Sequence, residues 1–430
     1  MKYDLWIRNG TLVSSRGRRK ADIVVRDGKI DGIIDSGRSI EADQILEAEG
    51  RFILPGLIDG HVHFRDPGLT HKEDIYTGSR SALYGGLTYV IDMPNVHPVT
   101  STAERLRERI EMARERACVG MGFFALLTEE NLGEMEELKR AGAVGFKIYL
   151  GTSVGEIAAP PDGVMLEQFR RAAELNMRIG FHAENNAIND YFTEREMERG
   201  STSSEDLIQA RPGFSEAESV GKAILFAGET GAKIHIYHVS SGRTVELIRR
   251  AKAAGVDITA ETCPHYLLLD RVDYGRLGPV LKAFPPVRER EDRKKLWEGM
   301  LDGTIDMIAT DHAPHTKEEK SGDIWRAMAG VAGVEISARL MLTEVAEGRL
   351  SLERLVALMS EGPARVWDLE GRGKIGEGYG ADLTLVDPER TGVIRNDDLH
   401  GKTNVTAFEG VRTVGMPVAS VVKGKVFELV

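Results

Sequence analysis

VGFKIYLG, residues 144–151, is the stretch on which the fold turns. It has the length and composition of a buried strand, yet it carries a lysine, Lys147, at its centre. Taking a lone ammonium out of water costs on the order of several kcal/mol. A lysine placed there is therefore deprotonated, paired, chemically modified, or snorkels along a buried stem to solvent. Outward from it, seven more apolar runs lie between about residues 54 and 311: LPGLIDGHVH (54–63), LTYVIDMPN (87–95), GMGFFALL (120–127), RIGFHAE (178–184), KIHIYHVSS (233–241), VDITAETCPH (256–265) and IDMIATDHAPH (305–315). Amphipathic segments such as TAERLRERIEMARERA (102–117) and LEQFRRAAELNM (166–177) separate them. Strands alternating with helices imply a parallel sheet, and eight such units predict a (β/α)8 TIM barrel.

The two ends of the chain read differently. YDLWIRNGTLV and ADIVVRDGKIDGII near the start, with ADLTLVDP and VRTVGMPVASVVKGKVFELV near the end, are strand-like and punctuated by turn signals, and together they predict one β-module. The expected division is 1–52 with 375–430 for that module and 53–374 for the barrel, a reasonable size for 430 residues.

A formal net charge of −11 and a pI near 5.6 argue against sequence-independent binding to nucleic acid or to an anionic membrane. The densest basic cluster, RGRRK (16–20), has Asp22 and Asp27 close by and is expected to be a solvated turn. The two cysteines, Cys118 and Cys263, form no metal or redox spacing and are expected to be free thiols of a reducing compartment. MKYDLWIRNG has no signal-peptide core, and no apolar run approaches the roughly 20 residues of a membrane span, so a cytoplasmic location is expected. A homo-oligomer is the expected assembly.

In several of the eight runs the chemically capable residues come at the C-terminal end, where such barrels place their active sites. His61 and His63, two apart at the end of the first run, point to the same face in extended geometry. Alone they are either a metal pair or two barrel histidines. His182, His238 and Asp311 close the fifth, sixth and eighth runs. Four imidazoles and a carboxylate suit zinc and exceed what one tetrahedral site needs, so two cations are expected. Such a pair requires a bridging anion, and no Asp or Glu stands in the fourth run. Lys147 stands there instead, and reaction of its amine with CO2 would give a carbamate able to bridge both ions. A bridging hydroxide would then be the nucleophile, with Asp311 accepting its proton and later donating one to a leaving nitrogen. That chemistry hydrolyses amide-type bonds.

For substrate, Arg65 offers a forked pair of donors to a carboxylate, unless it pairs with Asp66 or Asp74. Asn95 adds an amide or caps a loop, and His315 either reaches the ligand or is exposed, on a loop, HTKEEKSGD, able to close over the mouth. A small anionic substrate is expected. Glu184 and Glu261 are candidates to support the ligands, whereas His71, His97, His235, His265, His312 and His400 read as structural or surface residues.

GLIDGHVHFRDPG, TYVIDMPN and ATDHAPHTKEEK resemble the cyclic amidohydrolases, and within them the dihydroorotase branch. The resemblance covers nearly the whole chain. It implies a distorted barrel beside a small β-sandwich built from both termini, and a binuclear zinc site of His61, His63, carboxylated Lys147, His182, His238 and Asp311. It further implies Arg65, Asn95 and His315 as contacts to a substrate carboxylate. The implied reaction interconverts L-dihydroorotate and N-carbamoyl-L-aspartate, a step of pyrimidine biosynthesis. ETCPHYL (261–267) and FPPVRE (284–289) look more like allantoinases and hydantoinases, and Phe284 stands where many dihydroorotases carry asparagine. A cyclic ureide hydrolase is therefore the alternative, and a non-catalytic scaffold of the same fold the remote one.

Overall fold

The computed structural model describes residues 2–151 and 157–429. Five strands come first: β1 (Tyr3–Ser14), β2 (Gly17–Arg26), β3 (Lys29–Ile34), β4 (Ala42–Glu47) and β5 (Phe52–Pro55). The barrel strands follow as β6 (Leu57–Val62), β7 (Leu87–Asp92), β8 (Gly120–Leu126), β9 (Gly145–Tyr149), β10 (Arg178–His182), β11 (Lys233–Ile236), β12 (Ile258–Thr262) and β13 (Met307–Ile308). The chain then returns as β14 (Leu383–Val393), β15 (Arg412–Val422) and β16 (Lys425–Glu428).

β6 to β13 form one sheet in sequential order, and every strand pair recorded in it is parallel. Parallel strands covered on both faces need near-continuous burial, and every residue of β6, β9 and β12 is buried. The covering helices are fixed by side-chain caps: the Asp74 carboxylate accepts from Thr77 N at the start of Ile75–Tyr84, and Ser241 Oγ accepts from Arg243 N at the start of Gly242–Ala253. β13 has two residues and does not pair directly with β6 in the ladder. The ring closes instead through the next stretch of chain: Val62 bridges His312, and His63 N donates to His312 O at 2.8 Å.

The floor of the barrel is a plug. Trp367 stacks near-parallel on Tyr237 (centroids 6.0 Å apart) and edge-on to Phe124 (4.6 Å). Room for it comes from missing side chains, because a Cβ on Gly145 would lie 2.8 Å from the Trp367 ring and one on Gly180 would lie 2.1 Å from Tyr237. With the bottom filled, polar groups of the barrel interior collect at the C-terminal end of the strands.

The termini meet in a second sheet, ordered β16-β15-β14-β5-β1-β2-β3 with β4 parallel to β1. The sandwich-like module is thus a single hydrogen-bonded sheet, mostly antiparallel. Bulges in β1 after Ile7 and in β14 after Leu385 bend it, and a bridge between Lys29 and Gly380 draws the β3 edge back towards β14. It encloses its own core, including Ile7, Ile23, Ile53, Leu383 and Val421. RGRRK is solvated as expected but only begins as a turn: Arg16 is in the turn, Gly17–Lys20 open β2, and Arg18 pairs with Glu353. Both cysteines are free. No helix among the described residues is long and apolar enough to cross a membrane.

Candidate active site

The C-terminal strand ends bring all six expected ligands to one cavity of about 400 Å3, counting its open mouth. His61 Nδ1 donates to Glu261 Oε1 at 2.5 Å, and His63 Nδ1 donates to Asn95 Oδ1 at 2.7 Å. Those bonds fix the tautomers, so both Nε2 lone pairs face Asp311 Oδ1, at 3.2 and 3.0 Å respectively. Burial holds His61 well below the usual imidazole range and lowers His63, so these rings are neutral. Three electron-pair donors converging without a proton between them is an arrangement that a cation stabilises. His61, His63 and Asp311 accordingly form a ligand triad within 4.8 Å.

A second convergence lies beside it. His182 Nε2 donates to Glu184 Oε2 at 3.0 Å, which leaves Nδ1 facing His238 Nε2 at 3.0 Å. Burial lowers both imidazoles, His238 strongly. Glu184 is held far below the usual carboxylate range by a bidentate Arg211 (2.6 and 3.1 Å), and it overcomes its own burial in doing so. Carboxylates behind ligand histidines orient the ring and raise its donor strength. Glu261, whose carboxyl is pushed by burial well above the usual range, orients His61 in the same way and meets His235 Nε2 at 3.2 Å through its other oxygen, so His235 supports the site from beneath.

Lys147 is fully buried, which excludes snorkelling. Its Nζ lies 3.8 Å from the Tyr237 ring centroid and has no hydrogen-bond partner among the described residues. Burial brings its pKa down to about 7, against the pull of Asp311 and Glu261. An orphaned, half-neutral amine between two ligand clusters fits a site for two cations with a bridging carbamate. Three residues here, Arg65 (φ 62°), His238 (φ 39°) and Asp311 (φ 47°), are held in the left-handed region, a strain that recurs where geometry is set by function.

The substrate residues separate on inspection. Arg65 lines the cavity, and its Nε and Nη1 have no partner among the described residues; neither Asp66, which pairs with Arg116, nor Asp74, which pairs with Lys402, claims it. Asn95 lines the cavity with its Nδ2 without a partner among the described residues. His315 stands behind them: its side chain is fully buried, Nε2 donates to Ala329 O at 3.0 Å, and Nδ1 accepts from Lys72 Nζ at 3.2 Å. Its ring therefore packs against Arg65 rather than lining the cavity. Tyr149, Ala329 and Gly330 also line it and were not expected, and so does Phe284, noted in the sequence only as a departure from the resemblance. Tyr149 follows Lys147 by two, a spacing that marks the same face; the other three come from loops. Asp59 was likewise missed. It accepts from Thr310 N (3.1 Å), Thr310 Oγ1 (2.5 Å) and His61 N (3.1 Å), and burial raises its pKa to about 6.

Comparison with known proteins identifies the family. A family model described as Amidohydrolase family matches residues 52–427. An allantoinase of Rubrobacter xylanophilus is 38% identical, covering 99% of this chain and 94% of its own length, and an allantoinase of Salmonella newport is 34% identical over 98% and 94%. Among solved structures, the L-hydantoinase (dihydropyrimidinase) from Arthrobacter aurescens superposes with a TM-score of 0.96 at 35% identity over 99% of this chain and 96% of that one. The dihydropyrimidinase from Brevibacillus agri gives 0.91 at 27% identity over 98% and 94%. These relatives carry allantoinase and hydantoinase names, so the dihydroorotase resemblance holds at the level of the family and not of the branch. The chain belongs to the amidohydrolase family.

Proposed function

We propose that this protein is a binuclear, zinc-dependent hydrolase of cyclic ureides, of the allantoinase type. The observation that carries the proposal is the meeting of two imidazole clusters, one of them with Asp311, and a buried Lys147 without a partner among the described residues at one barrel mouth, in a chain 38% identical over 99% of its length to an allantoinase. Dihydroorotate, the expectation from sequence, becomes the second reading, supported by the unmatched donors of Arg65.

His61, His63 and Asp311 would hold one cation, His182 and His238 the other, with the carboxylated Lys147 between them. Bound there, the two ions would supply a water of lowered pKa and an electrophilic pull on the ring carbonyl. The chain does the rest. Arg65 and Asn95 donate to substrate oxygens and fix the ring edge. Tyr149, whose hydroxyl is buried without a partner among the described residues, donates to the oxyanion that develops as water adds to the carbonyl carbon. The Asp311 carboxylate accepts the proton of the attacking water and returns it to the ring nitrogen as the C–N bond breaks, which leaves an open-chain ureido acid. Glu261, Asn95 and Glu184 keep the imidazoles turned while this happens.

The test is turnover by the zinc-loaded protein on allantoin, hydantoin and L-dihydroorotate side by side. Allantoin or hydantoin is expected to give the highest kcat/KM; a preference for dihydroorotate would overturn the proposal.

A further inference from the structure

Phe284 lines the cavity and has no part in the chemistry above. Its ring is fixed from behind. The Arg211 guanidinium carbon lies 3.6 Å from the ring centroid, and the same guanidinium is locked by its two bonds to Glu184. The following residues are pinned as well: Tyr266 OH donates to Pro285 O at 2.6 Å, and Arg288 Nη1 donates to Arg211 O at 2.8 Å. One face of the ring is thus covered by a cation whose charge Glu184 matches, and what remains for the cavity is a rigid apolar plate. The same cavity holds Arg65 Nε and Nη1 and Asn95 Nδ2, donors without a partner among the described residues. An apolar plate with polar donors at its margin fits a flat ring whose faces are apolar and whose edge carries C=O and N–H groups. A ring bearing a carboxylate near that plate would lose water there with no donor in exchange, whereas an asparagine amide at the same position could supply one.

We infer that Phe284 is the specificity-determining residue of this site, selecting neutral cyclic ureides over carboxylated rings. The inference rests on the cyclic-ureide reading above. Arg211 is a positioning residue for Phe284, but its fork also holds Glu184 beside His182, so it is not the residue to vary.

The experiment measures kcat and KM for allantoin and L-dihydroorotate with the zinc-loaded wild-type, Phe284→Asn, Phe284→Leu and Phe284→Tyr proteins. In Phe284→Asn, KM for allantoin is expected to rise roughly tenfold with kcat within about twofold, the size of a lost aromatic contact. The preference for allantoin over dihydroorotate should fall by about the same factor or more. Phe284→Tyr, which keeps the aromatic face, should raise the allantoin KM less than Phe284→Asn does. Phe284→Leu, which retains bulk without an aromatic face, should lose allantoin affinity in the same direction and stands in for Phe284→Asn if that variant fails to load zinc. An unchanged preference in both, or an equal loss of kcat on both substrates, overturns the inference while leaving the proposed activity intact. A wild-type protein that turns over no cyclic ureide overturns the proposed activity and this inference with it.

Discussion

At the scale of the residue, Lys147 joins burial to chemistry. A side chain whose charge is opposed by desolvation, with its pKa near 7, is about half free amine at neutral pH, and free amine is the form that attacks CO2. Lys147→Ala is expected to bind fewer than two metal equivalents and to lose activity by on the order of 10³-fold or more, with partial restoration of both by short carboxylic acids. Metal analysis with and without added acid checks it, and unchanged metal content in the variant would contradict the bridging role. The five other candidate ligands were legible as polar residues closing apolar runs; His61 and His182 do lie in β6 and β10, but His238 and Asp311 stand two and three residues past β11 and β13 with positive φ, so the final turn of the chain, not strand period, aims them. His315 was legible only as a neighbour of the site. The direction of its ring depends on Lys72 and the Ala329 carbonyl, which no local period encodes. Phe284 was visible as a departure from a resemblance, but its backing by Arg211 brings together residues 73 positions apart in the chain.

Among the elements, the segment after His315 reads as a charged loop free to close, yet it is already tied down. Lys320 Nζ donates to the carbonyls of Lys282 (3.1 Å), Met328 (3.0 Å) and Gly330 (2.8 Å), Lys282 Nζ donates to Ile324 O at 2.5 Å, and Trp325 Nε1 donates to Ser201 O at 2.7 Å. Its Gly and charged residues suggested a loop able to close, and the carbonyls that bury Lys320 come from turns that only the folded loop creates. Burial lowers the Lys320 pKa from 10.5 to about 7. Between about pH 7 and pH 10 the unfolded chain therefore binds more protons at this residue than the folded one, and stability rises with pH across that window. The contribution is at most one proton's slope, about 1.4 kcal/mol per pH unit. Denaturant midpoints measured at intervals through the window should climb less steeply in Lys320→Met than in the wild type; parallel curves would contradict the assignment. The strands themselves were legible, except that RGRRK runs from a turn at Arg16 into β2, its charged residues staying exposed while their backbone pairs with β1.

In the molecule as a whole, the cluster under the barrel helices and the separate one inside the terminal sheet explain why the texture of the sequence changes near both ends, and the plug forms a third cluster of its own. The plug at the barrel floor was not legible. Trp367 lies far beyond the last barrel run, and the space it fills is defined by glycines on strands read only as apolar. Trp367→Ala should cost about 3–5 kcal/mol in unfolding free energy, measured by chemical denaturation, with the upper cavity and its metal content preserved. The barrel seam carries a different consequence. The last joint of the ring is made at His312, and His61 and His63 stand on one side of it with Asp311 on the other. An ion clasped by that trio would work as a rivet through the cut edge of a hoop, so that the same event arms the enzyme and fastens its wall.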